Sequence, residues 1–204
     1  GRYFLSCSRA PALVEPDDIM HFDLESEIVG GRSKTPYLER FIHGAIYEAR
    51  PDVIAVVHAH AEDTLPFGIA PAKLKPVIHS GAFIGADVPV WDIARRFGDR
   101  TNLLVTNVAQ GRDLAKKLAK NSVVLMRGHG FVAVGASVPD AVYRAMYTEQ
   151  NAAIQQKAIA LGGAVTYLDP EEARLADETN RGQSARPWEL WKRNHIRIRR
   201  DANG

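Results

Sequence analysis

The sequence is poor in the features that mark secreted, membrane and nucleic-acid-binding proteins. Its 204 residues include one cysteine, Cys7, which excludes a framework of disulfide bonds within the chain and indicates a reducing compartment. No apolar run approaches the ~18 residues that span a bilayer, and no signal peptide is recognisable. The 26 basic and 24 acidic residues nearly balance, which gives no electrostatic reason to expect nucleic acid or a membrane as a partner. We therefore expect a cytoplasmic protein.

The length and composition predict one folded domain over residues 1–204. A chain of this size buries roughly 70% of the surface that it exposes when unfolded. Hydrophobic residues at 46% and charged residues at 25% are typical of globular proteins. Because the sequence opens on Gly1 and enters a strand-like run at once, we expect the native chain to begin further upstream.

Short apolar runs alternate with helical stretches, which favours an α/β architecture over a helical bundle. The strand-like segments are 2–6, 19–24, 53–58, 76–79, 87–91, 101–106, 122–127 and 130–134. Helices are predicted over 37–49, from an N-cap at Ser137 to Leu161, and near 170–180 and 186–196.

Two histidines follow one of the strand-like runs. The apolar segment 53–57 leads directly into His58-Ala59-His60, and residues two apart on a strand point to the same face. Both imidazoles could therefore share an ion, and neutral imidazole is a preferred ligand of zinc and other first-row metals. Two hydrogen-bonded histidines at a strand end are the alternative interpretation.

A third histidine and one acid are further candidates. His129 stands between Gly128 and Gly130 at the junction of two strand-like runs, and glycine permits close approach of the backbone to a ligand. A hairpin turn with a capping histidine fits the same pattern. Glu39 opens the helix that precedes the histidine strand, where an acid is usually a surface residue that stabilises the helix dipole.

Taken in order along the chain, these segments resemble the class II aldolase and adducin family. The resemblance spans roughly residues 1 to 160 and includes the spacing from Glu39 to His58. It implies a three-layer α/β/α fold around a central, mostly antiparallel sheet, and a homotetramer with active sites between subunits. The motifs that carry it are Glu39-Arg40-Phe41-Ile42-His43, Tyr47, Ala49-Arg50-Pro51-Asp52, Ala55-Val56-Val57-His58-Ala59-His60 and Arg127-Gly128-His129-Gly130.

The resemblance also implies a metal site. His58, His60 and His129 would bind one divalent ion per subunit, and Glu39 would be the catalytic acid/base, able to bind the metal when substrate is absent. Manganese or zinc is expected, and iron(II) and cobalt suit the same ligands. Adducin-type members lack the metal ligands, so their presence here favours an enzyme.

The groups with which sugar-phosphate aldolases of the family hold phosphate are replaced. Tyr37-Leu38 stands in place of a serine pair, and Ser8-Arg9 in place of a Thr-Gly turn. A guanidinium binds carboxylate in a planar, bidentate manner. We therefore expect Arg9, Ser8 and Tyr37 to bind a small-molecule carboxylate substrate.

The whole pattern is most similar to the branch that decarboxylates hydroxylated aromatic dicarboxylates, such as hydroxypyridine dicarboxylates or dihydroxyphthalates. The substrate would chelate the ion through a carboxylate and a ring hydroxyl, and loss of carbon dioxide would leave a metal-stabilised, enolate-like intermediate for Glu39 to protonate. His79 would orient the ring hydroxyl, beside Ser80, where some aldolases have a proton-donating tyrosine. The alternatives are a metal-dependent aldolase acting on an unphosphorylated or carboxylated hydroxy-carbonyl substrate, and a non-catalytic, adducin-like assembly module.

Overall fold

The computed structural model describes residues 1–30 and 34–203, with side chains as far as residue 196. In this part of the chain the strands are β1 Arg2–Ser6, β2 Ile19–Asp23, β3 Ile28–Gly30, β4 Ala55–Ala59, β5 Val90–Trp91, β6 Val123–Met126 and β7 Gly130–Gly135. The α-helices are α1 Arg40–Ala49, α2 Leu65–Ile69, α3 Ile93–Phe97, α4 Val108–Leu118, α5 Val138–Ala160, α6 Pro170–Arg181 and α7 Ala185–Asn203. Among the described residues, 3-10 turns lie at Pro11–Leu13, Pro16–Asp18, Glu62–Thr64 and His79–Ile84. The α/β class is confirmed, and among the described helices none is both long and apolar enough to cross a membrane.

The chain divides into two compact units. The first comprises Gly1–Ile54 and Trp91–Lys120, and the second comprises Ala55–Val90 and Asn121–Gly204. Each unit contains strands and helices. The pairs β1–β2, β2–β3, β4–β7 and β6–β7 are antiparallel, as the family resemblance implied. The single domain over residues 1–204 stays a prediction.

The first unit holds a three-stranded sheet in the order β1-β2-β3. Its register places Tyr3 opposite Phe22, and both side chains lie in a small hydrophobic core. Helices α1 and α4 pack closely because Gly111 has no side chain: a Cβ there would lie 2.3 Å from the carbonyl oxygen of Phe41. This packing fixes the start of α1, where Glu39 is the N-cap residue.

In the second unit the strands pair in the order β4-β7-β6, and α5 packs on β7 and β4. Val57 and Ala59 of β4 pack against the hydrophobic core that also contains Tyr143 of α5. Because side chains alternate between the faces of a strand, His58 points to the face opposite α5.

The predicted strand at 76–79 is wrong. The extended backbone here pairs with side chains of α5, because Asn151 accepts from the N–H of Val77 and donates to the carbonyl of Lys75. Gln155, one helical turn further, accepts in turn from the N–H of Lys75. Both amides are fully buried, so these bonds satisfy backbone groups that a neighbouring strand would otherwise pair.

The predicted strand at 101–106 is also wrong. Leu103 has a left-handed φ of +65°, and the N–H of Leu103 donates to the hydroxyl oxygen of Thr101. The N–H of Val105 donates to the side chain of Glu39. Side-chain oxygens therefore accept hydrogen bonds from the backbone N–H groups that would pair with a neighbouring strand.

The helix predicted over 37–49 is present, but it begins at Arg40.

Candidate metal centre

The three predicted metal ligands lie together in the second unit. His58 is on β4, His60 follows the end of that strand, and His129 lies in the turn between β6 and β7. The Nε2 atom of His60 is 3.1 Å from Nε2 of His58 and 2.9 Å from Nε2 of His129. The ring centroids are 4.6 to 5.0 Å apart. The two motifs, 69 residues apart from His60 to His129, therefore meet at one point.

Two glycines shape the turn that carries His129. Gly128 has a φ of +64°, in the left-handed region that favours glycine. A Cβ at Gly130 would lie 2.3 Å from the carbonyl oxygen of Ala59 and 3.1 Å from Cδ2 of His60. Since only glycine permits this close approach, β7 can begin beside the end of β4. The hairpin that was the alternative interpretation is present, and it carries the histidine to its partners.

The orientation of His58 is fixed by the backbone of β7. Its Nδ1 lies 3.0 Å from the carbonyl oxygen of Phe131, which can only accept a hydrogen bond. Nδ1 therefore carries the proton, and the lone pair of Nε2 faces the other two imidazoles. Metal-binding histidines typically donate their second ring N–H in this way.

The spacing of the nitrogens fits a first-row metal ion. Zinc–nitrogen bonds of about 2.0–2.1 Å at tetrahedral angles place two ligand atoms roughly 3.3–3.4 Å apart. The measured Nε2 separations for His60 are 3.1 and 2.9 Å, so a small outward movement of the rings would accommodate the ion. Three imidazoles also leave room for substrate, because a catalytic site commonly has three protein ligands and an open position.

Glu39 belongs to the first unit and is buried. Its side chain is 3% exposed, so the surface acid of the alternative interpretation is wrong. It occupies the N-cap position of α1 without capping the helix through its side chain. Instead, its Oε1 accepts a hydrogen bond of 3.0 Å from the N–H of Val105. The loop before α4 therefore orients the carboxylate.

Tyr37 is a second partner of Glu39. Burial raises the pKa of the Tyr37 hydroxyl to about 12, and the charge of Glu39 and a hydrogen bond to it act in the same direction. The neutral hydroxyl therefore donates to the carboxylate of Glu39. The expected contact of Tyr37 with substrate stays a prediction.

Arg9 forms a salt bridge within the first unit, and its expected contact with a substrate carboxylate stays a prediction. Arg9 Nη1 lies 2.7 Å from Oδ2 of the buried Asp18. The pKa of Asp18 lies well below its usual range, mainly because of a hydrogen bond from Lys34, with further bonds from the N–H of Glu15 and from Arg9. The Arg9 side chain is 43% exposed, so part of the guanidinium faces solvent. Ser8 is exposed, and its backbone N–H donates to the carbonyl of Thr35.

His79 lies apart from the three-histidine cluster. It begins the 3-10 turn His79–Ile84 in the second unit and lines a cavity with residues of α5, α6 and α7. The carbonyl of His79 accepts a hydrogen bond of 2.8 Å from Nδ2 of Asn180. The role of His79 in orienting a substrate stays a prediction.

Sequence reasoning missed the groups that hold the candidate residues in place. The carbonyl of Phe131 and the N–H of Val105 are backbone groups, which every residue except proline has, so no motif marks them. Asp18 was missed as the partner of Arg9, although an acid nine residues away in the same unit was a detectable signal.

Comparisons with known proteins identify the same family as the sequence motifs do. Residues 6–156 match the class II aldolase and adducin N-terminal domain. Decarboxylase tropJ of Talaromyces stipitatus is 38% identical to this chain, over 94% of this chain and 80% of that protein. The 3,4-dihydroxyphthalate decarboxylase of Arthrobacter keyseri is 30% identical, over 83% of this chain and 69% of its own. The crystal structure of an aldolase II superfamily protein from Pseudomonas syringae has a TM-score of 0.77 at 21% identity, covering 97% of this chain and 79% of its own. The fold class and the resemblance predicted from the motifs are confirmed.

Proposed function

Because the chain belongs to the class II aldolase and adducin family, we propose that it is a metal-dependent decarboxylase of a hydroxylated aromatic or pyridine dicarboxylate. The observation that carries this proposal is the convergence of three imidazole nitrogens in a chain similar to two decarboxylases. The Arthrobacter relative, as its name states, acts on a dihydroxyphthalate. Such a ring has hydroxyl and carboxylate groups, which supports the proposed substrate class.

His58, His60 and His129 would hold one divalent ion, with manganese or zinc expected and iron(II) or cobalt compatible. When bound, the ion supplies a Lewis acid that stabilises negative charge on substrate oxygen. The hydrogen bond from His58 to the carbonyl of Phe131 keeps the Nε2 lone pair of this ligand aimed at the centre of the cluster.

We assign the proton transfer to Glu39. When the bond between ring and carboxylate breaks, carbon dioxide leaves and the electron pair stays on the ring carbon, which must then take a proton. The Glu39 carboxylate would take the proton that the ring hydroxyl loses when substrate binds and would then donate it to the ring carbon, and the ring oxygen would regain a proton from solvent as product leaves. The N–H of Val105 and the hydroxyl of Tyr37 hold the carboxyl group in one orientation, which favours transfer to a fixed position. General acid catalysis of this kind typically contributes ~10²–10⁴-fold.

The second carboxylate of the substrate would bind to Arg9. A guanidinium has five N–H donors, and the contact with Asp18 involves Nη1. The 43% of the side chain that faces solvent can therefore still receive a carboxylate. The adjacent Ser8 and Tyr37, which follows Pro36 in its β-bridge to Cys7, would be further substrate contacts. Asp18 would keep the guanidinium in place before substrate arrives.

The test is a direct measurement of the reaction. Protein purified without chelator would be incubated with 3,4-dihydroxyphthalate and with a hydroxypyridine dicarboxylate, under air and under argon. We expect one carbon dioxide for each aromatic monocarboxylate formed, at the same rate in both atmospheres. Incubation under argon distinguishes decarboxylation from an oxygen-dependent reaction, because an iron site with histidine and carboxylate ligands can also activate oxygen.

Three results would contradict the proposal. Cleavage of a 4-hydroxy-2-oxo acid into an aldehyde and a keto acid, with no carbon dioxide from the aromatic acids, would identify an aldolase. A requirement for oxygen would identify oxidative chemistry. Absence of stoichiometric metal would favour a non-catalytic assembly module.

We also propose a homotetramer with active sites between subunits, as the family resemblance implies. Light scattering of the eluting protein should then give four times the mass of one chain. A value of one chain mass together with full decarboxylase activity would contradict this assembly.

A further inference from the structure

The second unit contains a cavity of about 500 Å³ that is lined by His79 but by none of the three clustered histidines. Its size lies within the ~300–1,000 Å³ common for small-molecule sites. Helix α5 contributes Tyr143 and Tyr147 to its lining, and the start of α7 contributes Arg186. The 3-10 turn that begins at His79 and the end of α6 complete the lining.

Hydrogen bonds hold the walls of this cavity together. Asn180, which is 7% exposed, donates from Nδ2 to the carbonyl oxygen of His79 at 2.8 Å. The hydroxyl of Tyr143 donates to the carbonyl oxygen of Ser80 at 3.4 Å. The turn is thereby attached to both α6 and α5, so the cavity has a fixed frame.

The charge of the lining favours an anion. The guanidinium of Arg186 belongs to the lining, and none of the lining residues carries a carboxylate. Within the part of the chain that the structure describes, Arg186 forms no salt bridge. Asp177, whose charge acts on the lining residue Tyr143, is paired with Arg181 at 2.7 Å. An exposed guanidinium beside a cavity suits a carboxylate, which it can bind through two parallel hydrogen bonds.

The apolar part of the lining favours a flat ring. Tyr147 is half-buried, and its ring centroid lies 4.5 Å from that of Tyr143 and 6.2 Å from that of Trp191. A ring entering the cavity would add to this aromatic group, where offset or edge contacts contribute beyond the buried area.

The lining of the cavity includes none of the three clustered histidines. Val57 and Ala59 pack into the same core as Tyr143, which lines the cavity. His58, between them, points the other way. Within one chain, a ligand in the cavity therefore does not contact the metal ligands.

We propose that this cavity is a second ligand site, which binds a small aromatic monocarboxylate with its carboxylate on Arg186 and its ring against Tyr147. The site is inferred from the lining alone and does not depend on the reaction at the histidines. Single-ring acids have few atoms, so a dissociation constant on the order of 0.1–1 mM is expected.

The test is calorimetric titration of the full chain with benzoate, benzamide and cyclohexanecarboxylate. The His58→Ala protein is used so that a carboxylate on the metal does not contribute, and chelator-treated unmodified protein is titrated in parallel. We expect benzamide, which has no charge, to bind about tenfold more weakly than benzoate. Cyclohexanecarboxylate, which has no aromatic face, should also bind more weakly. Equal affinity for benzoate and benzamide would overturn the proposal.

Two arginine substitutions on α7 test the role of Arg186, one in the lining of the cavity and one outside it. Arg186→Gln should weaken benzoate binding about tenfold, whereas Arg193→Gln, also exposed on α7 but not part of the lining, should leave it unchanged. Equal binding by both variants would overturn the assignment of Arg186. Loss of benzoate binding in both metal-free proteins, with binding retained in the metal-loaded chain, would show that the ligand sits at the histidines and would overturn the second site.

Discussion

The two units hold their candidate functional groups in different ways. In the second unit, three imidazoles turn their Nε2 atoms toward one point, with separations of 2.9 and 3.1 Å around His60. In the first unit, Glu39 and Arg9 already have partners of opposite polarity, which are the N–H of Val105 and the carboxylate of Asp18. The histidine cluster could therefore hold a divalent cation, whereas hydrogen bonds and a salt bridge already fix the groups of the first unit. Removing a histidine should therefore lower metal binding and activity. Removing a partner in the first unit should disturb the orientation of Glu39 or Arg9, or lower the free energy of unfolding.

The largest expected effect is loss of the metal. His58→Ala removes one of three ligands, so metal content should fall below one ion per ten chains, and carbon dioxide release should fall at least a hundredfold. Plasma mass spectrometry of the purified protein measures the first and a coupled assay the second. His195→Ala, an exposed histidine on α7, is the control and should change neither. Full metal content in the His58→Ala protein would contradict the assignment of His58 as a metal ligand.

Glu39→Gln should remove proton transfer and leave metal binding intact. The amide cannot donate a proton as the acid does, so carbon dioxide release should fall by ~10²–10⁴-fold. Metal content should remain at one ion per chain because the three histidines are intact. If the metal were lost as well, Glu39 would be an obligatory ligand, and the division of roles between the units would be wrong.

A substitution in the hairpin tests the backbone that builds the cluster. Gly130→Ala would place a Cβ 2.3 Å from the carbonyl oxygen of Ala59, so β7 must shift away from β4. We expect a loss of ~1–3 kcal/mol in the free energy of unfolding, with Tm falling roughly 2–4 °C per kcal/mol. Metal affinity should fall too, since His129 moves with the turn.

Gly182→Ala is the matched control for that change. Gly182 has a φ of −79°, and the nearest atom to a new Cβ is 3.8 Å away. Thermal unfolding should therefore be unchanged or slightly raised. Equal losses in the two variants would show that the close approach of β4 and β7 is unimportant.

The smallest expected effect concerns the pH dependence of stability. The pKa of Asp18 is lowered, chiefly by the hydrogen bond from Lys34, so its contribution to folding is complete above the pKa of an unfolded aspartate, about 3.9. That contribution is lost as pH falls through the lower, folded-state pKa. Asp18→Asn should therefore be less stable than the unmodified chain at pH 7, and the difference should shrink below about pH 4.

Denaturant unfolding at a series of pH values measures this difference. Asp52→Asn is the control, because Asp52 forms an exposed pair with Arg50 and is itself 65% exposed. Its effect should be within a few tenths of a kcal/mol at every pH. If the difference in the free energy of unfolding between Asp18→Asn and the unmodified chain increased as the pH fell, the assigned direction of the pKa shift would be contradicted.

Features of the fold that depend on neighbours in sequence were predictable. The helix from Ser137 is confirmed: its hydroxyl accepts from the N–H of Asp140, and the helix ends before Gly162 and Gly163, both with positive φ. Helix α4 was missed, although Asn107 accepts from the N–H of Gln110 as an N-cap should, and this signal was in the sequence.

Features that depend on distant partners were not predictable in the same way. The segment at 76–79 has strand-like side chains, but the amide of Asn151, 74 residues from Val77, takes its hydrogen bonds. The candidate site shows the same division. Motif spacing located the three histidines, whereas the carbonyl of Phe131 that orients His58 is 73 residues away and could be any residue's backbone.

The most direct test of a metal-dependent decarboxylase is titration of the chelated, metal-free protein with Mn²⁺ or Zn²⁺ while carbon dioxide release from 3,4-dihydroxyphthalate is measured. The three-histidine site predicts that the rate rises from near zero in proportion to added metal and becomes constant at one ion per chain. A full rate before any metal is added, or a rate that metal does not change, would contradict it.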